Sequence, residues 1–202
     1  MTRSPALWFF IFLALAVLLA AFAPLEKTLG PNARLVYFHG AWVWVAMLLF
    51  LAAASLGAIG LLARRKAAHR WSQALGRAGL CFWIAFLLMS LYVMQVNWNG
   101  IYWDEPRFRI PLNLAIVGLL LQIGLSFLPE IAWTSLGNLV YALVFFISMR
   151  GIQAVLHPDS PILRSDARDI QLYFIALLVL ISAAAWQLAR WWYFWQGKRM
   201  RS

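Results

Sequence analysis

The sequence predicts an all-α integral membrane bundle of about six transmembrane helices, and three observations carry that prediction. Hydrophobic residues make up 64% of the 202 and charged residues only 12%, where a soluble domain is about half apolar and about a quarter charged. With a mean hydropathy of +0.76, the chain has too little polar surface to cover a water-soluble globule. The apolar residues gather into six stretches separated by short polar or proline-containing connections. Twelve tryptophans add the third sign, because indole rings favour the membrane–water interface.

The stretches run roughly 5–24, 36–63, 72–96, 110–128, 132–150 and 170–195. Each can cross a hydrocarbon core about 30 Å thick at ~1.5 Å per helical residue. None shows the apolar/polar alternation of a barrel strand, so helices are the way these segments satisfy their own backbone in lipid. The first stretch ends in Ala21-Phe22-Ala23, an A-x-A pattern of the kind that signal peptidase cuts. Its run is longer than a usual signal core, and Pro24 directly after the scissile bond disfavours cleavage. It is therefore expected to be a retained helix. Six spans with short loops use nearly all of residues 1–202 as a single domain.

Lysine and arginine set the orientation. The densest basic cluster is Arg64-Arg65-Lys66, continuing to Arg70, between the second and third stretches. Lys198, Arg199 and Arg201 lie after the sixth. An even-numbered connection and the end of an even-numbered span share a side, which is predicted to be cytoplasmic, with both termini there. The outer face then receives three loops, about 25–35, 97–109 and 151–169, which hold six of the seven acidic residues. The net charge of +10 flanks apolar segments instead of forming a soluble patch. Anionic membrane lipid is thus the expected partner and nucleic acid is not. The single cysteine, Cys81, sits in an apolar run and is expected as a small buried residue. No Walker loop, GxGxxG, HExxH or CxxC spacing is present, so nucleotide-driven and zinc-protease activities have no footing.

Three features can carry chemistry. Tyr37-Phe38-His39-Gly40-Ala41-Trp42-Val43-Trp44 places an imidazole at the outer end of the second span. Such a group is costly near the membrane unless wetted, hydrogen-bonded or ligated. Gly40 and Ala41 leave space beside it, and an interfacial histidine in an aromatic belt is the plainer alternative. The loop Asn97-Trp98-Asn99-Gly100-Ile101-Tyr102-Trp103-Asp104-Glu105-Pro106-Arg107 crowds three large rings with acids and a base. Flat rings suit a planar apolar ligand, and Arg107, with Arg109 behind it, suits carboxylates. The alternative is an aromatic girdle, with Asp104 and Arg107 paired to organise the turn at Pro106. His157 precedes Pro158, which biases it toward extended or turn backbone in the last outer loop, where a solvated histidine is equally ordinary. His69 lies in the basic cytoplasmic loop and is expected to be solvated. Asn113, Gln122 and Asn138 are expected to hydrogen-bond between helices.

Taken together, His39, the Trp-rich loop and His157 reach one membrane face. Two imidazoles beside an aromatic shelf can ligate a heme iron axially. Two histidines make a poor structural zinc site, and Asp104 as a third metal ligand is the competing arrangement.

The segment Arg34-Leu35-Val36-Tyr37-Phe38-His39, followed by Ala41-Trp42, resembles the start of the second helix in cytochrome c maturation protein C. The loop 98–107 resembles a shortened form of that family's tryptophan-rich "WWD" signature. Its Gly100-Ile101-Tyr102-Trp103-Asp104 stretch is also similar to the cytochrome c synthetase relatives. His157 matches the position of the family's second axial histidine, and the six-helix plan agrees over nearly the whole chain. The departures are local: Glu105 and Pro106 intervene between Asp104 and Arg107, and the loop is compressed between Trp98 and Trp103.

The resemblance implies a heme-handling (WWD-domain) protein of cytochrome c-type biogenesis in the plasma (inner) membrane. Such a protein is a heme transport and assembly factor more than an enzyme. It implies heme b held by His39 and His157, with Trp98, Tyr102 and Trp103 lining the heme edge and Arg107 near a propionate. Asp104 would orient the loop or meet a partner. The implied partners are a periplasmic heme chaperone and ABC-transporter-like subunits. The other reading of the same residues is a non-heme accessory subunit of a larger membrane complex.

Overall fold

A computed structural model of the protein describes residues 4–27, 29–152, 162 and 166–199. The apolar stretches become six helices: α1 (Pro5–Ala21), α2 (Ala33–Ala63), α3 (Lys66–Trp98), α4 (Pro106–Ser126), α5 (Ile131–Met149) and α6 (Arg168–Arg199). Helices α1 and α4 open on a proline, whose missing N–H costs nothing in the first turn. Left-handed residues close two others, Arg64 after α2 (φ 51°) and Asn99 after α3 (φ 55°). Several helices outrun the apolar windows, α3 beginning at Lys66 and α4 at Pro106. Caps and prolines end a helix, whereas a polar first turn does not.

Five of the six, α2 to α6, are long and apolar enough to cross a membrane, and α1, at 17 residues, is the shorter apolar helix. The outward surfaces are apolar too, with Phe10, Leu88, Leu120, Ile147 and Val179 among the exposed side chains. Lipid is the solvent such a surface requires. The protein is therefore a multi-pass membrane protein with an all-α bundle, as its composition predicts.

Helices α2 and α3 form the central hairpin, joined through Arg64 and Arg65. Helix α5 packs on α2 and α3, and α6 on the same pair from another side. Helix α4 covers α3 and α5, and α1 packs on α6 more extensively than on its sequence neighbour α2. Lipid tails are as apolar as leucine, so burial of leucine between helices gives little drive, and specific contacts must hold the bundle.

Those contacts are mostly side-chain donors reaching backbone carbonyls of the next helix. Trp42 Nε1 donates to Phe82 O (2.8 Å), Trp83 Nε1 to Pro111 O (3.0 Å) and Tyr141 OH to Leu114 O (2.9 Å). Tyr173 OH donates to Leu19 O (2.6 Å), tying α6 to α1. A polar seam completes the set: Asn138 Nδ2 donates to Ser72 O (2.9 Å) and Ser72 Oγ (3.1 Å), while Asn138 Oδ1 accepts from Gln122 Nε2 (2.8 Å). Gly76 makes this possible, since a Cβ there would lie 2.7 Å from Asn138 Oδ1. Asn113, expected in such a network, instead sits on the exposed face of α4.

Two further expectations are corrected. His69 is buried, not solvated, at 7% exposure, with Nδ1 2.7 Å from Ser135 Oγ. Because α3 starts at Lys66, residue 69 falls in a helical turn facing α2 and α5, and its ring fills the space a Cβ on Gly60 would need. Cys81 is exposed on the outer surface of α3 and not buried as a small core residue. A lipid-facing helix surface is as apolar as a core, so hydropathy alone does not separate the two.

Replacing Asn138 with alanine removes both bonds to Ser72 and the acceptor for Gln122. The expected loss is about 1–3 kcal/mol of stability, read by denaturant titration in mixed micelles. Gln122→Ala, which removes only one of these bonds, is expected to cost less.

Candidate functional site

Helices α2, α4 and α6 begin, and α3 and α5 end, at one end of the bundle. Between them lies a cavity of about 390 Å³. Val43, Met47, Phe86, Met94, Phe108 and Phe174 give it apolar walls, and His39, Ser90, Trp98, Glu105 and Arg107 supply polar groups. The volume falls in the range of about 300–1,000 Å³ typical of small-molecule and cofactor sites.

His39 sits in the second turn of α2, half-buried, its ring 5.1 Å from that of Phe86 and tilted by 39°. Of its two small neighbours only Gly40 lines the cavity; Ala41 is fully buried in the core. The space beside Gly40 is bounded by Phe174 of α6, 3.4 Å from where a Cβ would stand.

The Trp-rich loop divides. Trp98, the last residue of α3, lines the cavity. Tyr102 and Trp103 do not, being 44% and 58% exposed. Tyr102 OH donates to Trp98 O at 3.4 Å, and its ring meets Trp98 edge-on at 6.1 Å. Trp103 packs edge-on against Phe108 at 5.7 Å. The loop is short and α4 starts immediately after Glu105, so the turn carries these two rings to the outside.

The acid–base arrangement differs from the expected one. Asp104 pairs with Arg109, Oδ1 to Nη1 at 3.5 Å, and both side chains are largely exposed. The register of α4 explains this. Arg109 is one position short of a full turn beyond Pro106 and reaches back over the helix start, while Arg107 faces the cavity. Asp104 does not line the cavity. Among the described residues no three of His, Cys, Asp and Glu come together as a metal cluster.

Glu105, which intervenes between Asp104 and Arg107 in the sequence, is the unexpected member. It is 5% exposed and lines the cavity. Its carbonyl starts α4, accepting from the N–H groups of Phe108 and Arg109 at 2.9 Å. Its side chain makes no capping bond, and Oε1 is enclosed without a hydrogen-bond partner among the described residues. The signal available in the sequence was an acid immediately before a helix-opening proline. His157 lies outside the described residues; Ile152 and Ile162, on either side of that segment, line the cavity.

Neither a scan against protein-family models nor a search of curated proteins matched the chain. Functional inference therefore rests on the residues and geometry of the cavity.

If the cavity end faces outward, single cysteines in a Cys81→Ser background should respond as two groups. Lys27→Cys and Trp103→Cys are expected to react with a membrane-impermeant maleimide in intact cells, and Lys66→Cys only after the membrane is opened. The reverse pattern would invert the orientation, and labelling of all three from one side would contradict the bundle.

Proposed function

We propose that the protein is a heme-handling membrane protein of cytochrome c biogenesis. In this reading it holds heme b at the extracytoplasmic face of the plasma membrane and passes it on for attachment to apocytochrome c. The observation that supports it is the meeting of His39, Trp98 and Arg107 on one apolar-walled cavity at the bundle end. These residues come from the three helices that flank the two motifs resembling cytochrome c maturation protein C.

The residues present fit the group. Phe86, Phe108, Phe174 and the methionines offer apolar walls to a macrocycle. His39 would hold the iron, with His157 as the second ligand by the family resemblance. Arg107 would meet a propionate through charge-assisted bonds, and Trp98 would lie against the ring edge. Bound there, heme would supply an iron that imidazoles can ligate. Phe86 packs on the His39 ring and restricts its rotation. Tyr102, Trp103 and Asp104, exposed at the rim, would meet the heme chaperone and the ABC-transporter-like subunits rather than line the pocket.

The test is the absorption spectrum of protein purified in mild detergent from heme-replete cells, with a pyridine hemochrome assay. A low-spin bis-histidine b-type spectrum is expected, lost in His39→Ala and in His157→Ala. Wild-type heme content and spectrum in the double variant would sink the ligand assignment. A colourless wild-type protein that co-purifies with an unrelated complex would favour the accessory-subunit reading.

A further inference from the structure

We infer that Glu105 is a resident counter-carboxylate, competing with the ligand's own carboxylate for Arg107 and so shortening the time the ligand stays. The inference rests on the heme reading, since a propionate is the carboxylate it concerns.

A glutamate at the start of a helix ordinarily earns its place by capping backbone N–H groups. Glu105 does not: its side chain makes no capping bond, lines the cavity instead, and is 5% exposed. Oε1 is enclosed with no hydrogen-bond donor among the described residues. A buried carboxylate left in that state is costly and persists only where positive charge offsets it. Two sources stand beside it. One is the positive end of α4, whose first turn follows directly. The other is the Arg107 guanidinium, two positions along and electrostatically coupled to Glu105.

The cavity therefore already contains an anion next to the cation that would anchor a ligand carboxylate. An incoming propionate gains Arg107 but meets Glu105, itself buried, as a like charge. Net binding is weaker than a lone arginine would give, and on departure Glu105 again neutralises Arg107. Such a site suits transit more than storage. The ligand class it discriminates is a planar apolar molecule bearing free carboxylates, and the same molecule with its carboxylates esterified should not sense Glu105.

The test uses the full-length protein in detergent, loaded with hemin or with hemin dimethyl ester, and follows ligand loss to excess apomyoglobin. Glu105→Gln keeps the shape and removes the charge. It is expected to hold hemin about tenfold more tightly and release it correspondingly more slowly, with the dimethyl ester unchanged. Glu105→Asp, which keeps the charge, should retain wild-type release, and Glu130→Gln at the far end of the bundle should do the same. If Glu105→Gln leaves hemin release unchanged, or weakens hemin and ester alike, Glu105 is only a structural start for α4 and the inference is overturned. Wild-type protein that retains neither ligand overturns the heme reading itself, and this inference with it. The two failures are thus told apart by the wild-type measurement.

Discussion

The indole of Trp83 is the contact on which both the bundle and its cavity depend. It is fully buried on α3, with ring neighbours Phe50 of α2 at 6.1 Å, Phe145 of α5 at 4.7 Å and Phe86 one turn along α3 at 4.7 Å. Its N–H reaches Pro111 O of α4. A single side chain thus touches four helices, and its two ends lead to the site by different routes. Through Phe86 it sets the floor against which His39 packs. Through Pro111 it seats the N-terminal half of α4, and with it Glu105 and Arg107. A large ring with one donor suits this position, because the ring fills the gap between helices while the N–H leaves no buried polar group unsatisfied.

The same solution recurs at the other helix contacts. Trp42, Tyr141, Tyr173 and Asn138 each present one donor to a carbonyl on a neighbouring helix. A helical carbonyl already accepts one bond from its own helix and keeps a second lone pair, so these contacts cost the backbone nothing. Glycines let the polar seam close up where side chains must interpenetrate, as at Gly60 under His69 and Gly76 under Asn138. Geometry, not hydrophobic burial, therefore decides which helices touch. This accounts for α1 lying on α6, 154 positions separating Tyr173 from the Leu19 carbonyl it binds.

At the cavity end the charged residues sort by the direction in which α4 starts. Asp104 and Arg109 face water and pair loosely, a contact of small energetic weight. Glu105 and Arg107, which lie between them in sequence, face inward. The aromatic residues sort in the same way: Trp98 belongs to the end of α3 and lines the cavity, while Tyr102 and Trp103 belong to the turn and lie outside it. The segment thus has two faces, an inner one that lines the cavity and an outer one that is exposed.

Membrane character and helix number were legible in the sequence, because a hydrocarbon layer about 30 Å thick makes length and hydropathy decisive. His39, Trp98 and Arg107 were legible as cavity residues because they bracket helix ends that antiparallel packing brings to one side. The burial of His69, the exposure of Cys81 and the partner of Asp104 were not, since each depends on which face of a helix meets which neighbour. Glu105 was hidden for the same reason. One-dimensional pattern determined that this chain is an all-α membrane bundle, with six apolar helices among the described residues and five of them long enough to span, because lipid penalises every unsatisfied backbone group wherever it falls. Only the tertiary structure decided which polar groups face inward, because in an apolar solvent the two sides of a helix read alike and specific hydrogen bonds between helices set its rotation.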